Sequence, residues 1–206
     1  MRQHHESSIS MTTGWRPDRR RFVCLAVLLL ILVISPAWAQ DFSAERIVKK
    51  GRAVVTAHVN AKPDRWRLEF AQPQGLASVV IVRTDQDVAW LIMSQRRQYL
   101  ESSIAPEFRL MLGERMEGEQ SRDLIGEQTL NGYSTELFDV VVAEHGETRR
   151  YYRWITKVER FPVKTVSKEG DWSEEYRRLV FTEQSPLLFE LPQRLDRANP
   201  PANIQH

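Results

Sequence analysis

Three histidines follow residue 39: His58, His145 and the terminal His206. None has a second histidine two or four positions away, so the spacing that builds a metal centre is missing. Cys24, the only cysteine, lies inside an apolar run near the start. Once that run is removed, the chain has no disulfide, thiol nucleophile or thiolate ligand. No glycine-rich phosphate loop and no nucleophile elbow occurs. Glu114, Glu117 and Glu119 are material for general acid–base chemistry. They are interleaved with Arg115 and Arg122, however, and such mixed charge reads as a solvated face. An exported hydrolase would need two carboxylates converging in a polar cleft, and nothing in the spacing brings two together. These residues predict no enzyme, no metal and no cofactor.

The apolar run around Cys24 sets the compartment. Arg16, Arg19, Arg20 and Arg21 precede 13 uninterrupted apolar residues, 22–34. Ser35 and Pro36 break the run, and Ala37-Trp38-Ala39 places small residues where a signal peptidase reads them. The run is short for a bilayer core, which takes about 20 residues, so residues 1–39 read as a signal peptide cleaved after Ala39. Arg19-Arg20-Arg21-Phe22 is similar to a twin-arginine signal, whereas so apolar a core suits the general export route. Both routes stay open. Removing the leader's 5 basic and 2 acidic residues leaves 24 and 25, a net charge of −1. That balance argues against a nucleic-acid partner. The remaining 167 residues suffice for one core and are short for two.

Period-2 patterning dominates the mature chain. Residues 42–49 and 52–59 read as strands around a Lys50-Gly51 turn. In 64–70, Trp66, Leu68 and Phe70 share one face and Arg65, Arg67 and Glu69 the other. Residues 77–83 are apolar on both faces, as in a strand covered on both sides. A turn at 84–87, a strand at 88–93, a turn at 94–96 and a strand at 97–101 complete a meander in which each strand pairs with the one before. Pro106, with Phe108, Met111, Leu112 and Met116 at helix-like spacing, predicts a short helix over 106–116. Strands resume at 122–129 and 133–143 around Asn131-Gly132, a strong hairpin signal. Further strands lie at 148–160 (after His145-Gly146), 163–168 and 174–182. The tail 194–206 reads as disordered. About ten strands and one short helix predict a mainly β fold: a single, strongly curved antiparallel sheet, or half-open β-barrel, with the helix as lid.

Large apolar side chains are abundant on these strands: Trp66, Phe70, Trp90, Tyr99, Phe138, Tyr152, Trp154 and Phe181. Singly, each reads as ordinary core. Together, on a curved sheet with one short helix for cover, they predict a concave face left partly open as an apolar cavity. Its expected lining is Trp66, Leu68, Phe70, Trp90, Ile92, Tyr152 and Trp154. Alternation does not decide which face is inward, so Lys62 and Arg67 are the candidates for polar groups at the mouth.

The segment from Lys62 to Phe70, Lys-Pro-Asp-Arg-Trp-Arg-Leu-Glu-Phe, resembles a stretch of the LolA/LolB-like superfamily of lipoprotein carriers and sorting proteins. Ile81 to Asp85, Val88 to Leu91 and Arg97 to Glu101 resemble its continuation. Ile125-Gly126-Glu127, Asn131-Gly132-Tyr133 and Leu188-Phe189-Glu190-Leu191-Pro192 resemble later landmarks, so the resemblance spans about Asp41 to Pro192 and implies a single domain over 40–193. It implies an incomplete barrel closed by helices, a periplasmic location and a cavity for lipid or an acylated lipoprotein. An inner- or outer-membrane protein is an expected partner. The chain departs from that family in two ways. Lys62 stands where the carrier has a lid-latching arginine, and the mature chain opens on a strand rather than a long helix. The first reading is a periplasmic lipid or lipoprotein binder; the second is an envelope interaction or sensing module using the same fold without lipid.

Overall fold

The computed structural model describes residues 40–144 and 146–199; the leader, His145 and residues 200–206, His206 among them, lie outside them. The elements are β1 (Phe42–Lys50), β2 (Ala53–Lys62), β3 (Arg65–Gln74), β4 (Ala77–Arg83), β5 (Val88–Met93), β6 (Gln98–Ser102), β7 (Glu119–Leu130), β8 (Tyr133–Glu144), β9 (Glu147–Thr156), β10 (Pro162–Ser167), β11 (Trp172–Phe181) and β12 (Asp196–Arg197). All belong to one sheet, in the order β12-β6-β5-β4-β3-β2-β1-β11-β10-β9-β8-β7.

Two antiparallel meanders, β1–β6 and β7–β11, are therefore joined by β1 lying against β11. The stepwise pairing expected up to residue 101 is what β1–β6 show, and β7 lies at the far edge of the sheet from β12 and β6. The turns obey local chemistry. Asn131 (φ 53°) and Gly132 (φ 88°) take the left-handed pair of angles that a two-residue hairpin turn requires. The strand expected over 148–160 stops at Thr156. Phe161, after Arg160 at φ 54°, turns into the core, and its N–H donates to Thr156 Oγ1 at 3.0 Å. In the tail, Asp196 and Arg197 pair in parallel with Gln98 and Tyr99.

The sheet has two differently covered faces. On one, Phe42, Ala44, Val59, Trp66, Leu68, Val80, Val82, Phe161 and Tyr176 form the main core. Phe161 anchors it, with ring centroids 5.0 Å from Phe42 and 5.3 Å from Tyr176 in edge-to-face contact. On the other face Ile81, Trp90 and Ile92 are buried under Leu188, Phe189, Leu191 and Leu195 of the C-terminal segment. Strand β4 is thus packed on both sides, as its unbroken apolar run predicts.

The lid helix expected over 106–116 is not there. Pro106–Phe108 make a single 3-10 turn, and Arg109 is extended at φ −70°, ψ 145°. Residues 103–118 instead form a strap that crosses the main core face from the β6 edge to the β7 edge. Ile104, Phe108, Leu110 and Leu112 of the strap pack against the main core. Six residues of extended chain reach about 20 Å, whereas the eight strands from β3 to β7 would span about 34 Å laid flat. The sheet curls, and side chains reach in from it, to close the difference.

Candidate functional site

The strap is held by donors from four strands. Trp66 Nε1 donates to Phe108 O at 2.7 Å. Arg46 on β1 donates from Nη1 to Glu107 O (3.4 Å) and from Nη2 to Arg109 O (3.2 Å). Arg153 on β9 gives Nη2 to both Met111 O (2.9 Å) and Gly113 O (2.5 Å). Arg122 on β7 reaches Glu114 O at 2.6 Å. From Phe108 onward the residues along the strap follow the spatial order of the strands, so the strap lies across the sheet as an extended ligand would. A helix would need these carbonyls for its own i→i+4 bonds, and the arginines and the tryptophan take them instead. No helix forms.

Charge is organised in the same way. Glu174, 2% exposed, accepts from Arg46 Nε at 2.6 Å and from Tyr176 OH at 3.0 Å. Burial pulls the Arg46 guanidinium down, and the adjacent Glu174 and Tyr176 more than restore it, leaving it raised. Burial drives the Tyr176 phenol well up, with Glu174 adding to it. Glu114 and Glu119 are structural, which corrects the solvated-face reading of that stretch. Glu119 takes two bonds from Arg122 and one from Met116 N–H, and Glu114 pairs with Arg160 at 2.6 Å. Bonding to Arg160 lowers the Glu114 carboxyl. At Glu119 burial pushes upward, but the bonds from Arg122 and Met116 prevail and leave it lowered. Arg153 differs from the rest. It is 1% exposed, Nε and Nη1 have no partner among the described residues, and burial lowers it to about 10.

The register divides the expected cavity residues between the two faces. Trp66, Leu68 and Phe70 pair with Ala61, Val59 and Ala57 on the strapped face. Trp90 and Ile92 lie on the opposite face, beneath the C-terminal segment. Tyr152 and Trp154 flank Arg153 on β9, in the opposite phase of the strand, and Trp154 also packs against the margin of the main core. Their rings meet the ammonium groups of Lys168 and Lys164 at 4.7 and 5.4 Å. Lys62 pairs with Asp41, and not with the strap. Arg67 bonds Glu69 at 2.6 Å and reaches Leu188 O at 3.4 Å, so it helps hold the C-terminal segment rather than a mouth. Sequence reasoning missed Arg46, Arg122, Arg153 and Glu174.

Two open clefts lie away from the strap. One of about 480 Å³ is lined by Glu45, Thr56, His58, Glu69, Phe70 and Arg178 among others. The second, about 390 Å³, lies around Asp41, Lys62, Phe181 and Glu183. Both carry charged walls, unlike an acyl-chain cavity. Among the described residues no group of three or more His, Cys, Asp or Glu is placed to hold a metal ion.

No protein-family model matches the sequence, and no curated protein matches it either. Solved structures do resemble the fold. MucB is similar with a TM-score of 0.55 at 10% identity, over 84% of this chain and 65% of MucB. MucB in complex with MucA(peri) gives 0.53 at 10% identity, over 84% of this chain and 62% of that one. An uncharacterized conserved protein from Thermus thermophilus gives 0.53 at 15% identity, over 84% of this chain and 98% of that one. The present chain therefore spans about two thirds of the length of MucB. The likeness to these solved structures is one of fold.

Proposed function

We propose that the mature chain is an exported, non-catalytic interaction module of the cell envelope whose strapped face is built to hold an extended polypeptide. One observation carries this reading: Trp66, Arg46, Arg153 and Arg122 all donate to main-chain carbonyls of the segment lying across that face. An acyl chain has no acceptors along its length. In the same track it would gain about 0.8 kcal/mol per buried methylene but leave each of these donors bare, at about 1–3 kcal/mol apiece and more for the charged ones. An extended peptide restores both the apolar contacts and the hydrogen bonds. MucB, similar in fold, is also seen in complex with MucA(peri), which supports a polypeptide partner for a sheet of this kind.

The lipid reading keeps one observation in its favour, the breadth of the apolar cluster under the strap, and it requires the strap to leave that cluster. A paired titration separates the two. Purified mature protein is exposed to a fluorescent fatty acid and, separately, panned against displayed random ten-residue peptides, with a synthetic strap peptide (residues 103–114) as competitor. Enrichment of peptides with alternating apolar residues, displaced by the strap peptide, together with no saturable fatty-acid binding, is the expected result. Saturable fatty-acid binding with no peptide enrichment overturns the reading.

A further inference from the structure

Among the described residues, Arg153 is the cation of the strapped face that the fold leaves without a counter-charge. Arg46 has Glu174, Arg122 has Glu119, and Arg160 has Glu114 and Glu136. Arg153 sits on β9, the third strand from the β7 edge, its position paired with Phe138 on β8 and Thr165 on β10. Its contacts with the strap run through Nη2 alone, to two neutral carbonyls. Nε and Nη1 are buried and unsatisfied.

The groups whose fields reach it are already committed. Glu174 is bonded by Arg46 and Tyr176, Glu119 by Arg122, Arg115 and Met116 N–H, and Arg122 adds a repelling positive charge. A guanidinium kept dry beside a second guanidinium, with most of its N–H groups unspent, is built to receive an anion. The Nε/Nη2 edge would present a two-pronged fork to a carboxylate once the strap frees Nη2.

We propose that Arg153 is the acid-selecting residue of this face: a partner segment taking over the strap's track carries an Asp or Glu whose carboxylate pairs with its guanidinium. The strap is then the face's own occupant, apolar at Phe108, Leu110 and Leu112 like a ligand. Its nearest acids stand at Glu107 and Glu114, the latter held by Arg160. None lies in the Met111–Gly113 stretch bonded to Arg153, so a segment with an acid there can displace it. This rests on the polypeptide reading and adds the ligand's charge and the residue that reads it. A peptide is favoured over a lipid head group because the other donors along the track need main-chain acceptors.

The test uses the whole mature chain with its strap loosened by Phe108→Ser and Leu112→Ser, changes that leave the receiving side chains intact. The probes are fluorescein-labelled peptides of strap residues 103–114 in two forms, Leu112→Asp and Leu112→Asn, read by fluorescence anisotropy. The Asp peptide should bind about tenfold tighter or more, with the advantage lost below about pH 4 as its carboxylate protonates. Arg153→Gln should weaken both peptides, because its bonds to the main chain go as well, and should bring their affinities to the same value. Because that variant removes strap bonds and could fail to fold, the Arg153 Nε–H resonance in ¹⁵N-labelled parent protein provides a second readout. It should move downfield with the Asp peptide and not with the Asn peptide. Equal affinities and an unmoved Nε–H overturn the role of Arg153 and leave the polypeptide reading standing; binding of neither peptide overturns that reading itself.

Discussion

Replacing Glu174 with Leu should destabilise the sheet severely, and a second replacement, Arg46→Met, should return most of the loss. Glu174 and Arg46 are 2% and 8% exposed, and among the described residues their 2.6 Å contact is the one carboxylate partnership of Arg46. Without Glu174, Arg46 keeps two strap carbonyls, at 3.4 and 3.2 Å, and the neighbouring Tyr176 hydroxyl. Arg153 also loses the carboxylate whose field most favours its charge. Two buried cations would then share one face. Breaking a buried pair from one side costs about 3–5 kcal/mol, whereas replacing both partners with apolar groups is often close to neutral. The double variant gives up two long hydrogen bonds to the strap, at the low end of about 0.5–1.5 kcal/mol each, and leaves the Tyr176 hydroxyl without its acceptor, for about 1 kcal/mol more. It should therefore sit within about 2 kcal/mol of the parent. Urea unfolding followed by tryptophan fluorescence reads the difference. With a slope of about 2 kcal/mol per molar, the single variant's midpoint falls by about 2 M and the double recovers at least half of that. A Glu174→Leu midpoint within about 0.3 M of the parent, or a double variant no better than the single, would refute the claim that this pair neutralises the strapped face.

Gly118→Ala should cost about 2 kcal/mol or more. It forces a side chain onto φ +72° and brings its Cβ to 2.4 Å from Ala143 O, where β7 begins. Gly132→Ala, at φ +88° with open space around it, should cost only about 1 kcal/mol, and chemical denaturation of the two should preserve that order. Acid should loosen the strap's distal end first. The folded Glu114 and Glu119 carboxyls lie below their ordinary 4.5, so their contribution is complete above that value and is lost as pH falls through the lowered folded values. Amide protection factors of residues 110–119 should drop at acidic pH before those of β1 and β11; simultaneous loss would count against a separately tied strap. Phe189→Ala removes a fully buried ring from the outer cluster, for about 3–5 kcal/mol, and should shift Trp90 fluorescence while leaving strap protection unchanged.

Most of the strands were legible because their determinants are local. The run at residues 77–83 matches β4 residue for residue, since being apolar on both sides reflects Val80 and Val82 in the main core and Ile81 in the outer cluster. Asn131-Gly132 fixed its hairpin by backbone angle alone. The phase between strands was not legible. Alternation says that Trp66 and Leu68 share a face and that Trp90 and Ile92 share a face, but not that the faces are opposite. That depends on register, which is set by turn length and by irregularities such as those between Ser43 and Glu45 and between Glu69 and Gln74.

The strap was misread for a related reason. Phe108, Met111, Leu112 and Met116 fit a helical period, while Phe108, Leu110 and Leu112 fit a period of two equally well. What decides between them is distant in sequence. Arg46 is 61 and 63 residues from the carbonyls it binds, and Arg153 is 42 and 40 from its own. The usable signal lay in the phase of the arginines themselves. Arg46 continues the series Phe42, Ala44, and Arg153 stands between Tyr151 and Ile155, so each occupies an apolar phase of its strand. A guanidinium placed there must find acceptors inside the sheet's curve. The strand partners can offer Arg46 a carboxylate, from Glu174, whereas the positions paired with Arg153 are Phe138 and Thr165. The carbonyls of a segment with no pairing of its own supply what remains, and this requirement makes the crossing at residues 103–118 extended rather than helical.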